Sequence, residues 1–297
     1  MSPIIVNRPD STSPWTPQGF GAYAEHYPHT AWDPVPADRD KTDAFVAGWM
    51  TNEPCQPQQV GTIVLSPGLF SEFLPGCFAA AMRALSDAGF RVIRTRARSR
   101  FGIRDQAARI AAELAGTLGP EERFVWCGHS KGAIELLYAL DTDDRLRDAC
   151  AAAVVAQPAV GMSRVVDRWQ NHPRGLRERM GGILLSSPPV RAGVRDISAA
   201  RDPIVSDWLA DFKPVVPTVC AVSWSIRPTS WVDSYHRTLN EMAPGHAHDG
   251  QFLLVDQRIP GASLVCLPEL DHAQVVFGGH SFDAGRFWQT LVQVALQ

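Results

Sequence analysis

Residues 128–132 read Gly-His-Ser-Lys-Gly, a G-x-S-x-G pattern. The pattern alone recurs by chance, but here it follows a buried-strand signature, FVWC, and opens a helix signature, AIELLYAL. A serine at the tip of a sharp strand-to-helix turn has strained backbone angles, and Gly128 and Gly132 remove side chains that would clash with strand or helix. The turn exposes the Ser130 hydroxyl. A neutral serine is a poor nucleophile and needs a base. Of the nine histidines, His272 lies in LPELDHAQVV, just after the last apolar strand run. A loop there returns to the serine turn, because both lie at the carboxyl edge of a parallel sheet. His280, in FGGHSF, is the rival. An acid must then orient the imidazole and balance its charge. Asp233, Asp249, Asp256 and Asp271 all follow the strand run TVCAVSW. Asp249 sits in a turn sequence, HAHDGQF, and is favoured. Asp271 adjoins His272 where side chains rarely face each other, and Asp256 and Asp233, the latter in a helical stretch, remain alternatives.

Acyl chemistry on such a serine needs two N–H groups to hold the oxyanion. Lys131, the residue after Ser130, offers one. The loop Ser66-Pro67-Gly68-Leu69-Phe70 offers the other, with Leu69 N–H preferred and Phe70 the near alternative. Phe70, His129, Leu184 and Leu185 are the candidates for lining the substrate pocket. The Lys131 side chain is expected to be structural or at the rim, and Glu135 too far along its helix to act on Ser130.

These residues need a scaffold that brings distant loops to one edge. From residue 61 onward short apolar runs alternate with helical periods: GTIVLS, then CFAAAMRALSDAG; FRVIRT, then RDQAARIAAELAG; FVWCG, then GAIELLYAL. ACAAAVVA, TVCAVSW and SLVCL supply further strands. This rhythm predicts an α/β fold with a mostly parallel central sheet and helices on both faces. It fails between 161 and 216, where charged, weakly amphipathic stretches surround GGILLSSPPV. That segment is expected to be a helical cap or lid, with Trp169, Ile183, Leu184, Leu185, Val190 and Trp208 walling an acyl pocket or anchoring the lid. The chain therefore divides into an N-terminal arm with first strands (1–60), a core (61–160 and 217–297) and the lid (161–216). The arm is rich in Pro, Trp, Tyr and His, and Asp43 to Thr51 (DAFVAGWMT) reads as a strand.

With 297 residues, 45% hydrophobic and 20% charged, the chain has ample material for one large core. A net charge of -3 argues against nucleic acid as partner. No apolar run reaches the ~18 residues a membrane span needs, and residues 1–14 lack a basic-then-apolar leader. The six cysteines form no CxxC pair, and four lie in core strand runs, which points to a reducing compartment and a cytoplasmic location. Neither a metal nor an organic cofactor is expected, and oligomeric state is open. Arg91, Arg94, Arg96, Arg98, Arg100 and Arg104 cluster after the second strand run. They either recognise a substrate anion or form a solvated, ion-paired loop.

Four pieces give the chain a resemblance to the α/β-hydrolase superfamily, in its lipase- and esterase-type branches: the strand-P-G-L turn at 67–69, GHSKG at 128–132, the D-G turn at 249–250 and the L-D-H at 270–272. The resemblance runs from about residue 60 to the C-terminus. It implies a serine hydrolase of carboxylic esters, lactones or thioesters, with Ser130 as nucleophile, His272 as base, Asp249 as acid, and the Leu69 and Lys131 N–H groups as oxyanion hole. An acyltransferase or macrocycle-forming thioesterase would use the same triad, and a non-catalytic binding protein is a third reading. The sequence departs from the superfamily pattern twice. Ser66-Pro67 stands where a histidine usually precedes the oxyanion glycine, and a long insertion, Arg227 to His248, displaces the acid.

Overall fold

The computed structural model describes residues 35–51, 60–225, 233–279 and 282–297. Its six strands are β1 (Thr62–Ser66), β2 (Arg91–Arg94), β3 (Phe124–His129), β4 (Cys150–Ala156), β5 (Thr218–Trp224) and β6 (Ser263–Pro268). All pair in parallel, in the order β2-β1-β3-β4-β5-β6. β1, β3 and β5 are buried at every residue. That is why they read as unbroken apolar runs and not as alternating ones.

Helices α1 (Thr42–Thr51), α2 (Ala79–Asp87), α3 (Ile103–Ala115), α4 (Lys131–Thr142) and α5 (Asp144–Ala149) precede β4 or flank the first strands. Between β4 and β5 come α6 (Arg164–Asn171), α7 (Leu176–Leu185), α8 (Arg191–Arg195) and α9 (Pro203–Asp211). Then come α10 (Asp233–Met242), a 3-10 turn (Leu254–Gln257), α11 (Gln274–Phe277) and α12 (Ala284–Ala295). Successive strand residues point to opposite faces. Val64, Trp126 and Val222 join one core with Ile110 of α3 and Ile134 of α4. Ile63, Leu65, Val125 and Cys127 join the other with Phe45 of α1, Leu85 of α2 and Trp288 of α12.

The segment expected as a strand, 43–51, is instead α1. A nine-residue apolar run has no periodicity that separates strand from buried helix. The deciding contacts are at helical spacing: Phe45 stacks on Trp49 with ring centroids 6.2 Å apart, and Phe45 meets Phe287 of α12 edge-on at 5.8 Å. Asp40 caps the helix by accepting the Thr42 N–H at 2.9 Å. The residues just before α1 bridge to β6, Lys41 N–H donating to the Leu264 carbonyl at 2.8 Å and Leu264 N–H to that of Arg39 at 2.8 Å. This covers an otherwise open sheet edge.

The 161–216 segment holds four short helices. Ser163 caps α6 and Asp202, before Pro203, caps α9. Among the described residues no helix is long and apolar enough to cross a membrane.

Candidate active site

The chemistry-bearing loops leave the carboxyl ends of β1, β3, β5 and β6, which a parallel sheet places on one edge. Ser130 sits between β3 and α4 with φ 56° and ψ -127°. Such angles cost a non-glycine residue roughly 1–3 kcal/mol and persist only where the surroundings over-determine them. Here they do. Ser130 N–H donates to the Ala156 carbonyl at 3.1 Å, and its own carbonyl accepts from Ala133 and Ala159 at 3.1 and 3.3 Å. A Cβ on Gly128 would stand 2.8 Å from Ala133 Cα, and one on Gly132 would stand 2.5 Å from the Ser66 carbonyl oxygen. A Cβ on Gly68 would lie 2.9 Å from Ser130 Cβ. The turn and the β1 loop therefore touch through glycines.

His272 Nε2 lies 2.9 Å from Ser130 Oγ, and its Nδ1 lies 2.7 Å from Asp249 Oδ2. His272 N–H also donates to the Asp249 carbonyl at 2.8 Å. The Asp249 side chain is fully buried, and its Oδ1 accepts the Gln251 and Phe252 N–H groups at 2.8 Å each. One carboxylate oxygen is thus spent on the turn and the other faces the imidazole. The competing acids are occupied elsewhere. Asp271 Oδ1 accepts the Ala273 and Gln274 N–H groups at 2.9 and 3.0 Å, opening α11. The Asp256 side chain packs against Gly161, where a Cβ would run into it, and burial pushes its carboxyl above the usual range. The Asp233 side chain and His280 lie outside the described residues.

A set of buried groups that no sequence motif announces holds these loops. Gln157, just beyond β4, donates through Nε2 to Ser223 Oγ at 2.6 Å and to the Asp271 carbonyl at 3.0 Å. His129, expected in the pocket wall, is buried. Its Nε2–H is shared between Gln157 Oε1 at 3.1 Å and the His272 carbonyl at 3.0 Å. Burial, reinforced by the neighbouring His272 ring, holds its pKa well below the ordinary imidazole value, so it serves as a neutral donor. Under Asp249 a chain of neutral groups runs from Gly250 N–H into His248 Nδ1, from His248 Nε2–H into Asn240 Oδ1, from Asn240 Nδ2–H into His236 Nδ1, and from His236 Nε2–H into the Ser225 carbonyl, each link 2.9–3.2 Å long. Burial, and then the neighbouring His236 ring, lower the His248 pKa to about 3.

For the oxyanion, Lys131 is the first residue of α4, and a first-turn N–H has no acceptor inside its helix. On the facing loop the Phe70 N–H donates to Ser99 Oγ at 2.7 Å, which leaves Leu69 as the loop residue beside Gly68. Ser99 is itself clamped by Glu72, through its N–H at 2.5 Å and its hydroxyl at 2.8 Å. The Lys131 side chain is buried in an ion pair with Glu135, one helical turn on. Burial, together with Asp196 and Glu72, outweighs the pull of Lys131 and sets the Glu135 pKa at about 7.

Leu184 is 62% exposed, whereas Leu185 beneath it is buried in the core. Of the arginines after β2, Arg91 pairs with Glu122 at 2.6 Å, Arg96 with Glu113 at 3.9 Å and Arg104 with Asp202 at 3.5 Å, and Arg100 lies over the Phe101 ring at 4.8 Å, as in the ion-paired reading of the cluster.

No family model matches the sequence, and no curated protein matches it. Solved structures match in fold. A metagenomic carboxyl esterase superposes with a TM-score of 0.65 over 90% of this chain and 81% of its own, at 20% identity. The mature lipase of Bacillus licheniformis gives 0.61 over 75% of this chain and 89% of its own, at 15% identity. A phospholipase from Legionella pneumophila gives 0.57 over 79% and 60%, at 11% identity.

Proposed function

We propose that this chain, whose fold is that of the α/β-hydrolases, is a serine hydrolase that cleaves a carboxylic ester, lactone or thioester with an apolar acyl part. The observation that carries the reading is one imidazole lying 2.9 Å from Ser130 Oγ and 2.7 Å from Asp249 Oδ2. Two of the structural neighbours are named a carboxyl esterase and a lipase, which supports an ester as the substrate.

In this mechanism Ser130 Oγ attacks the carbonyl carbon while its proton moves to His272 Nε2. The buried Asp249 carboxylate accepts the Nδ1–H and balances the imidazolium. The oxyanion faces the Leu69 and Lys131 N–H groups, fixed donors that need no reorganisation as charge develops. His272 then protonates the leaving oxygen or sulfur, the C–O or C–S bond breaks, and the acyl group remains on Ser130. Water enters, gives its proton to His272 and attacks the acyl-enzyme. Collapse releases the acid and returns the proton to Ser130. Helices α6–α9 are proposed as the lid over this edge of the sheet.

The test is p-nitrophenyl ester hydrolysis by wild type and Ser130→Ala, with fluorophosphonate labelling followed to the modified peptide. The reading expects turnover to fall by at least roughly 10³-fold and labelling to map to Ser130. Equal turnover in the variant, or label elsewhere, overturns it.

A further inference from the structure

Helix α7 (Leu176–Leu185) turns four of its five large apolar side chains outward. Leu176 is 75% exposed, Met180 63%, Ile183 72% and Leu184 62%. At about 100° per residue these four fall within an arc of about 100°, a stripe of the width that ordinarily faces a core. The inward face is made of Gly181, Gly182 and Leu185. A Cβ on Gly181 would run into the Trp169 ring of α6, and one on Gly182 into the Trp169 carbonyl. The helix therefore lies flush on α6 through glycines, and the outward stripe is built in by packing.

The charges around the stripe are one-sided. Between 172 and 195 there are five arginines and one acid, in a chain whose net charge is -3. That acid, Glu178, is turned inward onto the buried Arg168 guanidinium at 3.1 Å. Arg177 and Arg179 stand at the two edges of the apolar arc, and Arg174 and Arg191 are exposed nearby, while Arg195 pairs with Asp196 at 3.5 Å. An apolar stripe with a cation on each shoulder has the form of a helix lying in a lipid interface, its arginines reaching back to the headgroups. A second copy of this chain fits poorly, because a twofold contact through the stripe would set arginine against arginine.

We infer that the outward face of α7 docks on a bilayer containing anionic phospholipid, with Leu176, Met180, Ile183 and Leu184 in the acyl boundary and Arg177 and Arg179 on the headgroups. Docking rests on this surface alone, not on the chemistry proposed for Ser130.

The experiment is flotation of the full chain with vesicles of phosphatidylcholine, alone or with 30 mol% phosphatidylglycerol, at low and high salt. Wild type should bind the anionic vesicles, and 0.5 M salt should release it. Leu176→Ser/Met180→Ser and Arg177→Glu/Arg179→Glu should each bind at least roughly tenfold more weakly, since a single basic residue near such a surface is worth about fivefold in binding. Both should melt like wild type and hydrolyse a soluble p-nitrophenyl ester at its rate. Ser130→Ala should bind vesicles fully, so a failed hydrolase reading and a failed docking reading give different results. Equal binding to neutral and anionic vesicles, no binding at all, or variants that bind like wild type overturn the inference. So does a dimer by light scattering that Leu176→Ser/Met180→Ser dissociates, which would give the stripe to a second copy.

Discussion

Replacing Gly132 by alanine should separate the cost of the site's geometry from the stability of its helix. Gly132 is the second residue of α4, and its backbone is one an alanine adopts. Conformational entropy alone would then make Gly132→Ala stabilising by about 0.5–1 kcal/mol. Sterics oppose this. The new Cβ would lie 2.5 Å from the Ser66 carbonyl oxygen, and closer still to that of Pro67, where ordinary contact begins at 3.4 Å. The difference, 3.4 - 2.5, is 0.9 Å, and both obstacles are main-chain atoms that no rotamer change can clear. The elbow and the Pro67–Leu69 loop must therefore move apart by about that distance. A donor at about 2.9 Å from the oxyanion would recede beyond hydrogen-bond range, and losing one such donor costs about 10²–10³ in kcat. The assay is kcat and KM on a p-nitrophenyl ester with thermal melting alongside. Gly116→Ala is the control, because its Cβ would come no nearer than 3.8 Å to a neighbour. It should keep full activity. A folded Gly132→Ala protein with kcat within about threefold of wild type would refute the claim that these two loops form one oxyanion site.

Two more predictions concern the buried ionisable groups. His248 titrates at about 3 when folded and near 6.5 when unfolded. Its contribution is therefore intact above pH 6.5 and is lost as pH falls toward 3, at about 1.4 kcal/mol per pH unit. Melting curves from pH 7 to 4 should show a shallower pH slope for His248→Asn than for wild type, and parallel slopes would refute this. For the Lys131–Glu135 pair, Glu135→Leu alone should destabilise by about 3–5 kcal/mol, because it leaves the buried ammonium unpaired, while Lys131→Met, in which the buried Glu135 carboxyl takes up a proton at neutral pH, and the double variant should each be destabilised less. Additive losses in denaturant melts would show that the two side chains do not depend on each other.

The strands were legible because a parallel sheet buries both faces, and continuous burial writes itself as runs such as TVCAVSW, whose bounds coincide with β5. Ser130 was legible because its strain demands glycines at fixed offsets. His272 and Asp249 were legible as types in the right chain order, each in turn-forming sequence. The hidden features are those that depend on packing between distant segments. DAFVAGWMT carries strand-like composition, and only its partner α12 makes it a helix. His129 looks exposed beside the nucleophile until Gln157 and the His272 carbonyl claim its one N–H. Leu184 reads as pocket wall until the glycines beneath it fix which face of α7 is inward. Glu72 and Ser99 lie 27 residues apart and carry no local signature at all.

A long segment separates β5 from Asp249, and the backbone explains how the candidate site tolerates it. At the end of β5 the Ser225 N–H donates to the His248 carbonyl at 3.0 Å, and the Trp224 carbonyl accepts the Leu270 N–H at 3.1 Å. The chain that leaves the sheet at 225 is thus tied back at 248, one residue before Asp249. An inserted segment closed at its base adds loop entropy that grows only logarithmically with length, and it need not displace the turn beyond it. The closure is reinforced from the side, since His236 and Asn240 of α10, inside the insertion, make the neutral relay to His248. The insertion therefore supplies the scaffold for the Asp249 turn. The position of Asp249 relative to His272 depends on that base contact rather than on the number of residues between strand and acid. A sequence reading that counts residues from the strand would look for the proposed acid too early, and one that looks for the turn closing the insertion arrives at Asp249.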